Sequence, residues 1–595
     1  MKLNNWLYGA MALGMLSACS SDDTPSQGEV TTVTDGYLAV KINLPSTPSS
    51  RAANDIFDDG TANEYAVNSM ALILFSGSNE KDAVISGAYN INFNDAVTDT
   101  DNDNITTSYL TAVQVSKAEG ANLYGLVVVN YTDVMSVSDK TVTISGETEA
   151  FTGKFSDLVG KVSGKKFYSD GADGTYNFFM TNAPLSTAMG GLNTATAPSA
   201  SSVQTLVNLN NALYKTAEEA KNSPAGSVYV ERAVAKATLS IANGAGANIG
   251  DEELEVTNVM WKLDNTEPTS YIVRNLGNAE WMGYSIKASG YRFAGAVPMG
   301  TTSIQPIQTL YRTYWCEDPS YGIASPSLTT DVESTKGFVA AVSTNPLYCH
   351  ENTFTVANQN HKNTTRALVK ATIGNGDTFF TVNGNEDMIY SSSADAESFS
   401  VAFILNSDLV KTAVKSGLGE NENLTLDNDN YKDYLTITFL RNDKGIREVS
   451  SVKFNNDKFS KTPEWSAENE AKVIEDANNY YRIAEYENGV NYYEIRFKHF
   501  ADDLAPWSSE ANSTPTTAEA YPGYDAVKWL GRYGMVRNNW YDVAISGFKH
   551  LGEPALPNLE VSTDDTPDDE NSSEEWIAFK VNILSWAKRT QNHEF

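Results

Sequence analysis

Two stretches hold residues whose type and setting point to chemistry, and in both the chemistry is done to the chain. Leu16-Ser17-Ala18-Cys19 ends an apolar run from Trp6 to Leu16 that follows Met1-Lys2. The run reads as a secretory signal, too short to span a bilayer. An apolar residue, two small ones and a cysteine at its end form a lipobox, where signal peptidase II cuts and Cys19 is diacylated. Acyl chains contribute about 0.8 kcal/mol per buried methylene, so two or three hold a precursor on a membrane. The second stretch is Pro45-Ser46-Thr47-Pro48-Ser49-Ser50-Arg51-Ala52, an exposed loop with one basic residue. Such a loop is the preferred setting for a proteolytic nick, here a trypsin-like cut between Arg51 and Ala52. A plain linker with an ordinary arginine stays open as the alternative.

Residues that could act on something else form no constellation. The five histidines, His350, His361, His499, His550 and His593, make no pair with metal-ligand spacing. Gly244-Ala245-Gly246 and Gly374-Asn375-Gly376 lack the third glycine of a dinucleotide loop. Asp99, Asp101 and Asp103 begin like a calcium loop, but Asn104 replaces its turn glycine and Leu110 its closing glutamate. No enzyme, cofactor or metal is expected. Beyond Cys19, the remaining cysteines are Cys316 and Cys349. A disulfide between them and two buried thiols are both open on the sequence.

The elements that give these sites a use are two strands of one pattern. Ala39-Val40-Lys41-Ile42-Asn43-Leu44 lines up with Ala578-Phe579-Lys580-Val581-Asn582-Ile583. Leu38, Val40, Ile42 and Leu44 alternate with smaller or polar residues, as do Ile577, Phe579, Val581 and Ile583, before Trp586. That is the period of a strand with one buried face. Two such strands at opposite ends of the chain are two candidates for one groove, and a cut after Arg51 would remove the first. Leu556 to Glu575 precedes the second with Pro557, Pro567 and acids from Asp564 to Glu575, a solvated spacer that lets the strand leave its own domain.

Acids outnumber Lys and Arg 75 to 43, for a net charge of -32. So acidic a surface repels phosphate backbones, and nucleic acid is excluded as a partner. Along the chain, Glu64–Gly77, Leu123–Tyr131, Thr141–Gly146 and Tyr176–Thr181 read as strands. An amphipathic helix is expected over 202–220, and Ser223-Pro224-Ala225-Gly226 as the main boundary. Beyond it Val228–Ile241, Leu254–Leu263, Ala367–Ile373, Thr378–Val382, Phe399–Leu405, Tyr492–Phe497 and Trp540–Ile545 read as strands, with a helical piece at Asp408–Lys415. The fold expected is mostly β: two β-sandwich-like domains with a few short helices. The segments are a signal peptide (1–18), a propeptide (19–51), N-terminal (52–226) and C-terminal (227–562) domains, and a spacer with the final strand (563–595).

Three features together resemble a known family. They are Val228-Tyr229-Val230-Glu231-Arg232-Ala233-Val234-Ala235-Lys236, the run Tyr533-Gly534-Met535-Val536-Arg537-Asn538-Asn539-Trp540-Tyr541 with Gly547-Phe548-Lys549-His550-Leu551-Gly552, and the lipobox, Arg51 loop and last strand. The chain is similar to the major-subunit fimbrillins of Bacteroidales, stalk proteins of type V pili, and most like the shaft subunit of the short (minor) fimbriae. The resemblance implies transthyretin-like sandwich domains and a lipoprotein carried to the outer membrane. It also implies a cut after Arg51 by an arginine-specific protease, loss of the first strand, and filling of the groove by the C-terminal strand of a second copy. Partners implied are the chain itself, in a head-to-tail polymer, and fimbrial anchor and tip subunits. An anchor or tip subunit and a surface glycan-binding lipoprotein are the rival readings. From the residues alone, Arg537 and Asn538 are strand-end residues satisfying backbone groups.

Overall fold

Long apolar runs become the inner strands of a first sheet. Met70 to Phe75 is apolar without a break and buried throughout, as a strand covered on both faces requires. The computed structural model describes residues 35–45, 60–92, 96–97, 105–116, 121–170, 176–187, 202–209, 213–246, 248–249, 254–277, 294–298, 311–324, 326–329, 337–420, 422–499, 530–557 and 577–584. The first sheet is built from β1 (Asp35–Pro45), β2 (Met70–Gly77), β3 (Val84–Asn90), β4 (Ala96–Val97), β5 (Ile105–Ser116), β6 (Asn122–Val129), β7 (Met180–Asn182) and β8 (Gly226–Arg232). Their spatial order is β3-β2-β6-β7-β8-β1-β5-β4, with Val207–Asn208 pairing onto β6. One continuous core, including Leu38, Leu72, Val127, Phe179 and Val228, fills it.

The second domain is a sandwich of two facing sheets. One has the order β11-β9-β18-β19, from β9 (Ala235–Gly246), β11 (Leu347–Cys349), β18 (Trp540–Phe548) and β19 (Ile577–Leu584). The other runs through β10 (Leu254–Asp264), β12 (Arg366–Ile373) and β17 (Val490–Arg496). Ala237, Leu239, Val543 and Ile545 from the first sheet meet Trp261, Val369, Ala371 and Ile495 from the second in one core. Along β18, Tyr541, Val543 and Ile545 are buried while Trp540, Asp542 and Ala544 are half-buried, the alternation the sequence predicts.

Between β12 and β17 sits an α+β insert that the sequence reading does not anticipate. Its antiparallel sheet has the order β13-β16-β15-β14, from β13 (Phe379–Val382), β14 (Leu435–Arg441), β15 (Ile446–Phe454) and β16 (Ile483–Tyr486). Helices α2 (Ser393–Asn406), α3 (Asp408–Gly417) and α4 (Ala467–Tyr480) accompany it. The strand expected at Phe399–Leu405 lies wholly inside α2. Phe399, Val401 and Phe403 mimic a strand's alternation, but the buried set Ala396, Ser400, Val401, Ile404 and Leu405 has helical spacing.

Two further expectations are corrected. The span 202–220 is not one helix: Val203–Gln204 and Val207–Asn208 are short strands, because Gly125 and Tyr124 on β6 offer Val207 and Asn208 a ladder. Only α1 (Ala217–Asn222) is helical, capped by Thr216, whose hydroxyl accepts the Glu219 N–H at 3.2 Å. The domains also do not divide at Gly226, and Val228–Ile241 is not one strand. β8 completes the first sheet, and the chain crosses to β9 through the fully buried Ala233 and Val234.

The insert core generates a prediction. Ile404→Ala removes a fully buried side chain and should lower stability by about 2–5 kcal/mol, read in a denaturant titration by the fluorescence of Trp465 in the same cluster. A loss well below 1 kcal/mol would contradict that packing.

Candidate functional site

The first strand occupies an inner position of its sheet. β1 pairs in parallel with β8, setting Val40 beside Gly226 and Ile42 beside Val228. It pairs antiparallel with β5, setting Leu38 beside Val113, Val40 beside Thr111 and Ile42 beside Tyr109. Leu38, Val40 and Ile42 are at most 1% exposed and belong to the domain core. At about 1.5–3 kcal/mol per buried aliphatic side chain, these three contribute on the order of 5–9 kcal/mol. The backbone of Leu44 continues the strand.

Further main-chain bonds fix this strand along its β8 edge. The Tyr37 N–H donates to the Tyr214 carbonyl at 2.6 Å, and the Tyr214 N–H returns the bond at 2.8 Å. The Ala225 N–H donates to the Ala39 carbonyl at 2.7 Å. Gly36 must be a glycine there, since a Cβ would stand 2.7 Å from the Tyr214 oxygen. Among the described residues, β5 and β4 join the rest of the sheet only through β1.

The second copy of the pattern sits at an edge. β19 runs antiparallel to β18, with Ile583 beside Tyr541, Val581 beside Val543, Phe579 beside Ile545 and Ile577 beside Phe548. Among the described residues it has a neighbour on one side only. The chain leading toward it is clamped first. Glu553 exchanges backbone hydrogen bonds with Tyr492, Arg441 donates to the Pro554 carbonyl at 3.0 Å, and Arg366 donates to the Pro557 carbonyl at 3.0 Å. Cys19, Arg51, Ala52 and Trp586 lie outside the described residues, as do Asp99, Asp101 and Asp103.

Cys316 and Cys349 are free and buried, so the disulfide alternative is not adopted. The Cys316 thiol donates to Glu351 Oε1 at 2.8 Å, and the Cys349 thiol rests against Met535 Sδ at 3.7 Å. Burial pushes the Cys349 thiol up to about 12, which keeps it protonated and unreactive. No group of three or more His, Cys, Asp or Glu among the described residues is placed to hold a metal.

The motif residues that carry no visible chemistry in sequence build the domain junction. Arg537 is fully buried and pairs with Glu351 at 2.7 Å, while also donating to the Tyr271 carbonyl at 2.8 Å. Arg274 pairs with Glu231 of β8 at 2.7 Å and donates to the Arg537 carbonyl at 3.1 Å. Burial pushes the Glu351 carboxyl up, but the charge and hydrogen bond of Arg537 and the charge of Arg274 more than reverse this, leaving it below its usual range. Asn538, in the left-handed region at φ 58°, donates its N–H to the Val234 carbonyl at 2.7 Å. Lys236 Nζ pairs with Glu64 at 2.7 Å and lies 3.7 Å from the Trp540 ring centre. The strand-end reading holds for Asn538 and understates Arg537. Sequence spacing gives no signal for these ion pairs, which join residues from 43 to 186 positions apart.

Comparison with known proteins follows from this C-terminal architecture. Residues 484–592, which run from β16 through β17 and β18 to β19, match the family described as "Major fimbrial subunit protein type IV, Fimbrillin, C-terminal". That description is of a structural subunit of fimbriae. In this C-terminal region the chain is similar to the fimbrillins. No curated protein matches the sequence. Among solved structures, a fimbrilin from Porphyromonas gingivalis W83 is 10% identical with a TM-score of 0.37, over 94% of this chain and 100% of that one. A fimbrial assembly protein from Parabacteroides distasonis ATCC 8503 is 9% identical, TM-score 0.26, over 57% of this chain and 99% of that one. The fimbrial anchor protein Mfa2 from Porphyromonas gingivalis is 12% identical, TM-score 0.18, over 72% of this chain and 100% of that one. At these scores the solved structures carry no argument, and the likeness rests on the C-terminal match alone.

The junction generates a prediction. Arg537→Met leaves Glu351 buried without its partner and should cost about 3–5 kcal/mol in denaturant unfolding. Adding Glu351→Gln to that variant should recover a large part of the loss, and equal losses in the single and double variants would show that the pair is not coupled.

Proposed function

We propose that this chain is a fimbrillin stalk subunit that polymerises when a second copy's β19 replaces β1. One observation carries the reading: among the described residues β1 alone links β8 and β5 in the sheet, and a second strand of the same sequence pattern, Ile577–Leu584, pairs in its own sheet on one side only. Cys19 anchors the precursor by lipid at the outer membrane. An arginine-specific protease cuts between Arg51 and Ala52, a few residues past the end of β1, and the freed strand leaves with the anchor.

The vacated slot then exposes two strand edges and the core under Leu38, Val40 and Ile42, a strong template for an incoming strand. Ile577, Phe579, Val581 and Ile583 restore about 6–12 kcal/mol on burial, with about 0.5–1.5 kcal/mol net from each backbone hydrogen bond. Residues 558–576 span at most about 60–70 Å when extended, enough to reach a neighbouring molecule. The contact is head-to-tail, and such contacts propagate as fibres. Dissociation requires opening a sheet from within, so the polymer should be kinetically resistant. A stalk needs both a removable strand and a free tail, and the pairing of the two favours it over an anchor or a tip. Anchor and tip subunits are the expected partners at its ends.

Arg51→Ala should leave membrane-held monomer, and heat-resistant ladders on gels from that variant would sink the proteolytic trigger. Truncation before Trp576 should abolish polymer while the described domains still unfold cooperatively. Ordinary polymer from the truncated chain would remove β19 from the scheme.

A further inference from the structure

The two strands of one pattern differ in a respect that their apolar alternation hides. Along its β8 edge, β1 bonds through its main chain to Tyr214 at Tyr37, to Ala225 at Ala39, and to β8 from Val40 to Asn43. The first of these contacts depends on Gly36. A Cβ there would stand 2.7 Å from the Tyr214 carbonyl oxygen and 3.0 Å from the Leu213 Cβ. The nearer atom is backbone, so no side-chain rotation relieves the clash. The Gly36 φ lies outside the left-handed region, so closeness and not torsion demands the glycine.

The register in which the tail can take this place is set by Ala39. It is 1% exposed and alternates with Leu38 and Val40, so it is buried on the strand's second face. Ala578 brings the same small side chain to that position. A slip of two residues would bring Trp576 or Lys580 instead, and a slip of one turns the apolar set to the wrong face. With Ala578 in place of Ala39, Trp576 takes the place of Tyr37 and Glu575 that of Gly36. Residues 553–584 contain no glycine, so a shifted register meets the same clash. The bonds to Ala225 and β8 use main chain alone, and a donor can remake them. The pair with Tyr214 cannot be remade while Leu213 and Tyr214 keep their places.

We propose that Leu213–Tyr214 is a latch that closes on the chain's own first strand and stays open on a donor strand, with Gly36 as the discriminating residue. The inference rests on strand exchange as the route to the polymer. Specificity here comes from a clash built against the competitor, not from a better fit to the core. The uncut molecule therefore holds β1 by a contact that no tail can match, and neighbouring tails do not displace it before the cut. In the filament each subunit carries its Tyr214 segment released.

The test is hydrogen exchange resolved to single amides, in the uncut full chain and in polymer matured from it. The Tyr214 amide should exchange about 100-fold faster in the polymer, while the amides of Gly226–Arg232 stay within about tenfold of the precursor. Glu575→Gly lets the latch close on the donor and should return Tyr214 in the polymer to within about tenfold of the precursor. Gly36→Ala in the uncut chain should speed exchange at Tyr214 about 100-fold. Glu575 lies in the spacer, so its variant decides the matter even where Gly36→Ala impairs folding. Equal protection of Tyr214 in precursor and parent polymer overturns the latch alone, as does a Glu575→Gly polymer that exchanges like the parent. Protection lost along Gly226–Arg232 in the polymer shows an unfilled slot, and overturns strand exchange and the latch together.

Discussion

The first domain depends on one strand supplying two ladders at once. Among the described residues β8 and β5 are joined within the sheet only through β1, and Asp35–Pro45 fills that place with buried apolar side chains and with main-chain bonds to Tyr214 and Ala225 along its β8 edge. Most sheet edges are protected by being short, charged or covered. Here an interior seam becomes two edges whenever one short segment is absent, and the exposed surface is a core, not a rim. The placement of Gly36 under Tyr214 shows how closely the surrounding chain is fitted to the occupant.

A second constraint makes the two domains act as a unit. The crossing at Ala233–Val234 is too short to be a hinge, and the charges around it are buried and paired. Glu64 receives Lys236 and the Tyr348 hydroxyl, and Arg274 and Arg537 neutralise Glu231 and Glu351. Buried pairs of this kind are costly to separate and add little beyond an apolar core while intact. Their effect is on geometry: the direction from β1 in one domain to β18 in the other is set by side chains that cannot rotate independently.

Much of the architecture was legible where burial has a simple period. In β18 the alternation survives residue by residue, and in β1 the expected Leu38, Val40 and Ile42 are buried. Met70 to Phe75 is unbroken because that strand is covered on both sides. The misreadings have a common cause in tertiary context. Phe399 and Phe403 give α2 apolar residues on a second face, which erases its helical signature and leaves an apparent alternation. Val207 and Asn208 became strand because β6 offered partners, not because of their own propensity. Arg537 looked like a strand-end residue because nothing in sequence places Glu351, Tyr271 and Arg274 around it.

The parallel pairing of β1 with β8 also bears on how the molecule is made. A parallel neighbour cannot be reached by a tight turn, and these two strands are separated by nearly the whole first domain. During synthesis β1 emerges early, while the ladder on its β8 side waits until Gly226–Arg232 has left the ribosome. Contacts of such long sequence separation form slowly, because loop closure must precede any gain. The nascent chain therefore carries a half-paired segment until Gly226–Arg232 is made, which places a premium on whatever keeps that segment apart from its neighbours until the domain is complete.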